Sequence, residues 1–203
     1  HHVGHNIRFL FRIYIDGNYA GRSGLAGQTE DQSKPDYEPF TYNHKPGDNR
    51  VDIIINVTNY HHRRGGFWLP MRMGSPEVIS RSNERQKSLA SISHGMLLAF
   101  AAFFFIFFIT LKGDRSMLFF SLATTGVLLR GMVTGSFLLL TLMDMRWATI
   151  IRIEYISSFT ALVFGGWYFY RIYPDKYFKT VNTIITVLFS LGILLVIISP
   201  VSV

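Results

Sequence analysis

The chain has 203 residues, 49% of them hydrophobic, a formal charge of +7 and no cysteine. Disulfides and cysteine-based zinc sites are thereby excluded. The basic residues form no single long face of the kind nucleic acid requires; several of them flank apolar blocks, where lipid headgroups account for them. The composition also shifts along the chain. Most of the Pro, His and acidic residues precede Lys87, and after Ser88 apolar blocks alternate with short charged loops.

In chain order, Ile7 to Ile15 reads as a strand. Phe9, Phe11, Ile13 and Ile15 alternate with Arg8, Leu10, Arg12 and Tyr14, the period of two that puts one set on a buried face. Asp16-Gly17-Asn18 predicts a tight turn. Tyr19 to Gly27 is rich in glycine, and Gln28 to Gly47 reads as a polar loop holding Pro35, Pro39 and Pro46. A second strand is expected over Val51 to Val57, where Val51, Ile53, Ile55 and Val57 alternate with Asp52, Ile54 and Asn56. Two strands alone cannot bury an apolar face. Residues 1–79 are therefore expected to be part of an extracytoplasmic β-sandwich, completed by earlier strands or by another chain, and residues 80–89 a juxtamembrane linker.

Four blocks have the length that crosses a bilayer: residues 90–111, 117–138, 147–170 and 181–198. The first contains Phe103-Phe104-Phe105 and Phe107-Phe108. Lys112 and Arg115 lie between the first two blocks, Arg171, Lys176 and Lys179 between the last two, and only Arg146 between the middle pair. The excess of positive charge assigns the first and third loops to the cytoplasm and the N-terminal segment to the outside. Arg81, Arg85 and Lys87 oppose this assignment, but they precede the first span in a linker, which orients a chain less strongly than a short loop does. Trp147, Trp167, Tyr170 and Tyr173 fall at expected interfaces.

Arg130, Arg152 and Glu154 lie inside these blocks, and a charge in the bilayer is costly unless it meets a partner, water or the headgroups. Arg130 and Glu154 are candidates for an ion pair between helices. Two readings stay open: a structural pair with snorkelling side chains, or a polar cluster lining an outward-facing cavity. Gly131 and Gly135 form a Gly-x-x-x-Gly pair, and with Ser121, Thr124, Thr125 and Gly126 they predict close helix packing. His61, His62, Arg63, Arg64 and Trp68 form a polar cluster with two readings, a site for a sugar or carboxylate ligand and a loop touching the membrane. Adjacent His residues on a strand point to opposite faces, which disfavours a metal pair. His94, next to Gly95 at the start of the first span, is expected to be an interfacial hydrogen-bonding group. No nucleophile–base spacing, phosphate loop or catalytic carboxylate pair is present, so neither an enzyme nor a cofactor is expected in these residues.

The order of motifs resembles a known family. Ile15-Asp16-Gly17 with Gly24 and Gly27, the stretch from Ile53 through Asn59-Tyr60-His61-His62-Arg63-Arg64-Gly65-Gly66-Phe67-Trp68, Gly74, Arg152-Ile153-Glu154-Tyr155 and Tyr173-Pro174 are together similar to the bacterial seven-transmembrane receptors with diverse intracellular signalling modules. That resemblance implies a periplasmic galactose-binding-like or jelly-roll β-sandwich, seven helices in the inner membrane and a cytoplasmic output module. It implies a sensor for a small, carbohydrate-like ligand or a protein. About four of the seven helices are legible, so the residues are expected to belong to a longer receptor whose output module lies outside them. The alternative expectation is a non-enzymatic anchor subunit of a membrane complex. The bilayer is a partner in either case, and homo-oligomers or other membrane subunits fit both.

Overall fold

The computed structural model describes residues 2–5, 10–24, 29, 40–44, 50–58, 72–111, 114–134, 138–139, 143, 145 and 147–199. They fall into two compact units, one up to Arg85 and one from Gln86 onward.

The first unit contains six described strands: β1 His2–His5, β2 Leu10–Ile15, β3 Asn18–Ser23, β4 Phe40–Asn43, β5 Ile53–Thr58 and β6 Arg72–Gly74. They form two three-stranded sheets, in the orders β4-β1-β6 and β3-β2-β5, and every pairing is antiparallel. The alternation in β2 sets its register. Ile13 lies opposite Ile55 and Ile15 opposite Ile53, so that Phe11, Ile13 and Ile15 are fully buried and form the core of the unit. Ala20, Tyr42, Val51, Ile53 and Ile55 pack on them. Tyr42 comes from the other sheet, so both sheets contribute to one apolar layer.

Strand β3 lies in the turn and glycine-rich stretch, and β4 in the segment whose composition predicts a polar loop. The hairpin from β2 to β3 explains the first. Asp16 and Gly17 both have positive φ, 50° and 76°, the backbone of a two-residue turn whose twist suits a hairpin. Tyr14 and Tyr19 then stack edge-on across it, with ring centres 5.7 Å apart.

The Asp16 carboxylate does more than close the turn. One oxygen accepts the Asp52 N–H at 2.8 Å, the other lies 2.7 Å from His44 Nε2, and the Asp16 N–H donates to the Asp52 carbonyl at 2.8 Å. The bond from the Asp52 N–H, seconded by His44, holds this carboxyl below the usual carboxylate range. A lowered pKa in the folded state stabilises the fold above the ordinary carboxyl pKa, and the contribution disappears as pH falls through the lowered value. Asp16→Asn is therefore expected to loosen the lead into β5 at pH 7. The gap between variant and wild type should close below about pH 4. Hydrogen exchange of residues 51–58 in both proteins at pH 7 and pH 3 measures this, and an equal gap at both values refutes it.

Helix α1, Pro76–Thr110, begins earlier than the first apolar block. The Ser75 hydroxyl accepts the Val78 N–H at 3.4 Å and Pro76 occupies the first helical position, a favoured helix start. Ile79, on the first turn, is buried and lies against Gly74. The segment expected as a linker is thus helical.

The second unit contains the rest of α1, α2 Arg115–Val133, α3 Trp147–Ile172 and α4 Lys176–Ile198. All four helices are long and apolar enough to cross a membrane. Asp114 caps α2 by accepting the Ser116 N–H at 2.9 Å, and Asp175 caps α4 by accepting the Phe178 N–H at 3.0 Å. Hydrogen bonding from Ser116, side chain and N–H, together with the Arg171 charge, holds the Asp114 carboxyl below the usual carboxylate range. Helix α2 stops at Val133 because Thr134 is extended, five residues short of the expected end.

Consecutive helices pack antiparallel. Ser121 Oγ of α2 donates to the Ala101 carbonyl of α1 at 2.8 Å, and Phe104 meets Phe120 at 4.3 Å between ring centres. Phe159 of α3 stacks on Phe189 of α4 at 5.1 Å. Helices α2 and α3 approach closely at Gly126, where a Cβ would lie 2.8 Å from both the Ala161 backbone nitrogen and the Ser157 backbone oxygen.

Candidate functional site in the membrane helices

Antiparallel packing brings the intramembrane charges to one end of the bundle. Arg130 lies in the last turn of α2, while Arg152 and Glu154 lie in the first two turns of α3. Arg130 Nη1 donates to Ser158 Oγ, and Ser158 Oγ in turn donates to the Glu154 carbonyl. Arg152 Nη2 donates to the Ser199 carbonyl at 3.1 Å, where a cation complements the carbonyl end of α4. Among the described residues, Arg152 Nε is buried with no hydrogen-bond partner. Two arginines therefore tie α2 and α4 to α3 at the same end.

Interhelical hydrogen bonds of this kind average only about 0.6 kcal/mol in membranes and reach about 1.7. The close contact at Gly126 is of another order, because backbone meets backbone there. The arginine rungs are thus the part of the bundle that can change partners at low cost, while the Gly126 contact acts as a fixed point.

At Gly131 the close approach is between α2 and a side chain of α1. The His94 imidazole of α1 fills the space where a side chain at 131 would be, with Nε2 2.6 Å from the Cβ position. His94 Nδ1 bonds within its own helix to the Ala90 carbonyl. Gly135, His61, His62, Arg63, Arg64 and Trp68 lie outside the described residues.

Three features escaped the sequence reading. Ser157 and Ala161, four residues apart on α3, form the small surface that receives Gly126; the same small-x-x-x-small logic applied to α3 finds them. The clamp of Asp16 on Asp52 and His44 has no local signal, since its partners are 36 and 28 residues away. Asn182, 2% exposed, is a lone amide in an apolar span, and that isolation is its signal.

At the opposite end lie Asp114, Arg115, Arg171, Asp175, Lys176 and Lys179. Four membrane-length helices with charged ends define an integral membrane protein. Residues 86–203, more than half of the chain, match the family described as 7TM diverse intracellular signalling, and the chain belongs to that family. No curated protein and no solved structure matches it.

Proposed function

We propose that the chain is the sensing and membrane portion of a bacterial inner-membrane receptor, with its β unit in the periplasm. In this reading the β unit is part of a galactose-binding-like or jelly-roll sandwich and binds a small carbohydrate-like ligand or a protein. His61, His62, Arg63, Arg64 and Trp68 are its candidate ligand contacts. Occupancy favours one arrangement of the Arg130–Ser158 and Arg152–Ser199 rungs, and the helices pass that preference to a cytoplasmic module outside these residues. The chain itself catalyses nothing. The observation that carries the reading is the family match over the helical unit. The shared apolar layer of the two sheets and the low cost of the rungs support it.

Orientation is tested first. The chain has no cysteine, so a single introduced one reports alone. Asn18→Cys is expected to react with a membrane-impermeant maleimide in intact spheroplasts, and Tyr173→Cys only after permeabilisation. The reverse pattern rejects a periplasmic β unit.

Sensing is tested on the full chain in nanodiscs with a panel of monosaccharides including galactose and glucose. An active sugar is expected to change hydrogen exchange in residues 150–160, and Glu154→Gln to alter that response while membrane insertion stays normal. An unchanged response in Glu154→Gln removes the polar cluster from the relay. If no sugar acts and a second protein co-purifies at fixed stoichiometry, the anchor-subunit reading takes precedence.

A further inference from the structure

The start of α1 lies ahead of the first apolar block and is helical against its own composition. From Pro76 to Lys87 the sequence is polar and poor in helix formers. Ser80, Ser82 and Asn83 compete for the backbone with their own side chains, and Val78 and Ile79 are β-branched. Arg81 and Arg85, one turn apart, repel each other, against one favourable pair of Glu77 with Arg81. A short helix of this kind is marginal in water on its own. Yet α1 runs unbroken from Pro76 to Thr110.

The contacts that hold this start all come from β6 and the residue after it, within the first unit. Only Ser75 separates the end of β6 from Pro76. The Ser75 carbonyl accepts the Ile79 N–H at 3.1 Å, and its hydroxyl accepts the Val78 N–H. The Ile79 side chain lies against Gly74 of β6, with Cδ1 and Cγ1 both 3.5 Å from the position of a Cβ there. Arg72 Nη1 of β6 donates to Ser82 Oγ at 3.4 Å. Between Pro76 and Leu89, Ile79 alone is buried, and Ser82 and Asn83 are half-buried. Positions 79, 82 and 83 are spaced i, i+3 and i+4, so they form one stripe of the helix. Strand β6 is three residues long and is itself held by β1, with Val3 opposite Met73. The helix start therefore rests on a strand that rests on the sheet.

We infer that residues 76–88 of α1 are a conditional helix, wound while Ile79 is seated on β6 and unwound when β6 leaves its pairing with β1. The β unit thereby controls roughly 3.5 turns of helix ahead of the first apolar block. This coupling of strand to helix goes beyond the receptor reading and stands whether or not the β unit binds a ligand.

The test is hydrogen exchange of the full chain in nanodiscs, read on residues 80–88. Ile79→Ala gives the two explanations of this helix opposite signs. Alanine is the better helix former, so a helix held by its own propensity exchanges more slowly in the variant. A helix held by its seat exchanges faster, by at least about tenfold for the loss of a buried isoleucine, while residues 95–108 remain as in wild type. Val78→Ala, at a position 62% exposed, is expected to leave exchange unchanged or to slow it. Phe11→Ala reaches the seat from the other side. It loosens the core of the β unit and is expected to speed exchange in residues 80–88 with no change in the sequence of α1. Unchanged or slower exchange of residues 80–88 in Ile79→Ala overturns the proposal. So does wild-type exchange there in a Phe11→Ala protein whose residues 2–5 and 72–74 have lost their protection.

Discussion

Gly126→Ala is expected to destabilise the helical unit by about 3 kcal/mol, the upper end of ordinary overpacking. The added methyl meets the Ala161 nitrogen and the Ser157 oxygen at 2.8 Å and the Ala161 Cβ at 3.0 Å. Two of these obstacles are backbone, so relief requires α2 and α3 to move apart along their whole contact. Gly131→Ala is expected to cost far less, although the Gly-x-x-x-Gly spacing singles it out. Its obstacle is the far end of the His94 ring, which can turn away, and alanine regains up to about 1 kcal/mol of helix propensity. Gly165→Ala meets nothing within 4 Å and is expected to be neutral or slightly stabilising. The fraction of monodisperse protein left after graded heating ranks the three variants. A Gly131→Ala protein as labile as Gly126→Ala would refute the assignment of the fixed point to Gly126.

That contrast shows which parts of the bundle a single sequence can carry. The four spans were legible because a run of apolar residues of bilayer length has few other uses, and each expected block overlaps an observed membrane-length helix. The partner of each glycine was not, because a small-residue motif reports that two helices approach without saying which two. Gly126 finds its complement only when α3 is laid antiparallel to α2, bringing Ser157 and Ala161 opposite. Helix starts were set by caps rather than by hydropathy. Ser75-Pro76 and Asp175 begin α1 and α4 before the apolar blocks do.

The same division holds for polar groups. Arg130, Arg152 and Glu154 stood out as charges in apolar runs, and the antiparallel order gathers them at one end. The bonds of the two arginines run to Ser158 and to the Ser199 carbonyl, partners that are 28 and 47 residues away in the chain and carry no mark of their own. Strands β3 and β4 were hidden for a related reason. Asn18–Ser23 and Phe40–Asn43 are short and poor in β-branched residues, and they become strands by pairing with β2 and β1. Tertiary pairing overrides weak local preference there.

In the β unit the largest expected effect is that of Phe11→Ala. Phe11, Ile13 and Ile15 are the buried core, with side chains 1%, 0% and 1% exposed, and truncating a buried phenylalanine costs about 3–5 kcal/mol. A small domain has a total stability of about 5–15 kcal/mol, and among the described residues this core cluster is centred on three residues of one strand. The loss therefore removes a large share of what holds the sheets, and Arg12 and Arg22, on paired strands β2 and β3, become open to trypsin. Ile54→Ala serves as the comparison. It is on β5 directly opposite Tyr14, but 59% exposed, so little apolar area is lost. Digestion of membranes from the two variants is expected to cleave the β unit of Phe11→Ala rapidly and to leave that of Ile54→Ala intact. In both cases the helices from Gln86 onward remain protected, since their packing on Gly126, Phe104 and Phe159 does not involve Phe11. If the helices of Phe11→Ala are digested along with the strands, the two units fold as one, and a signal from the β unit need not cross a boundary between independently stable parts.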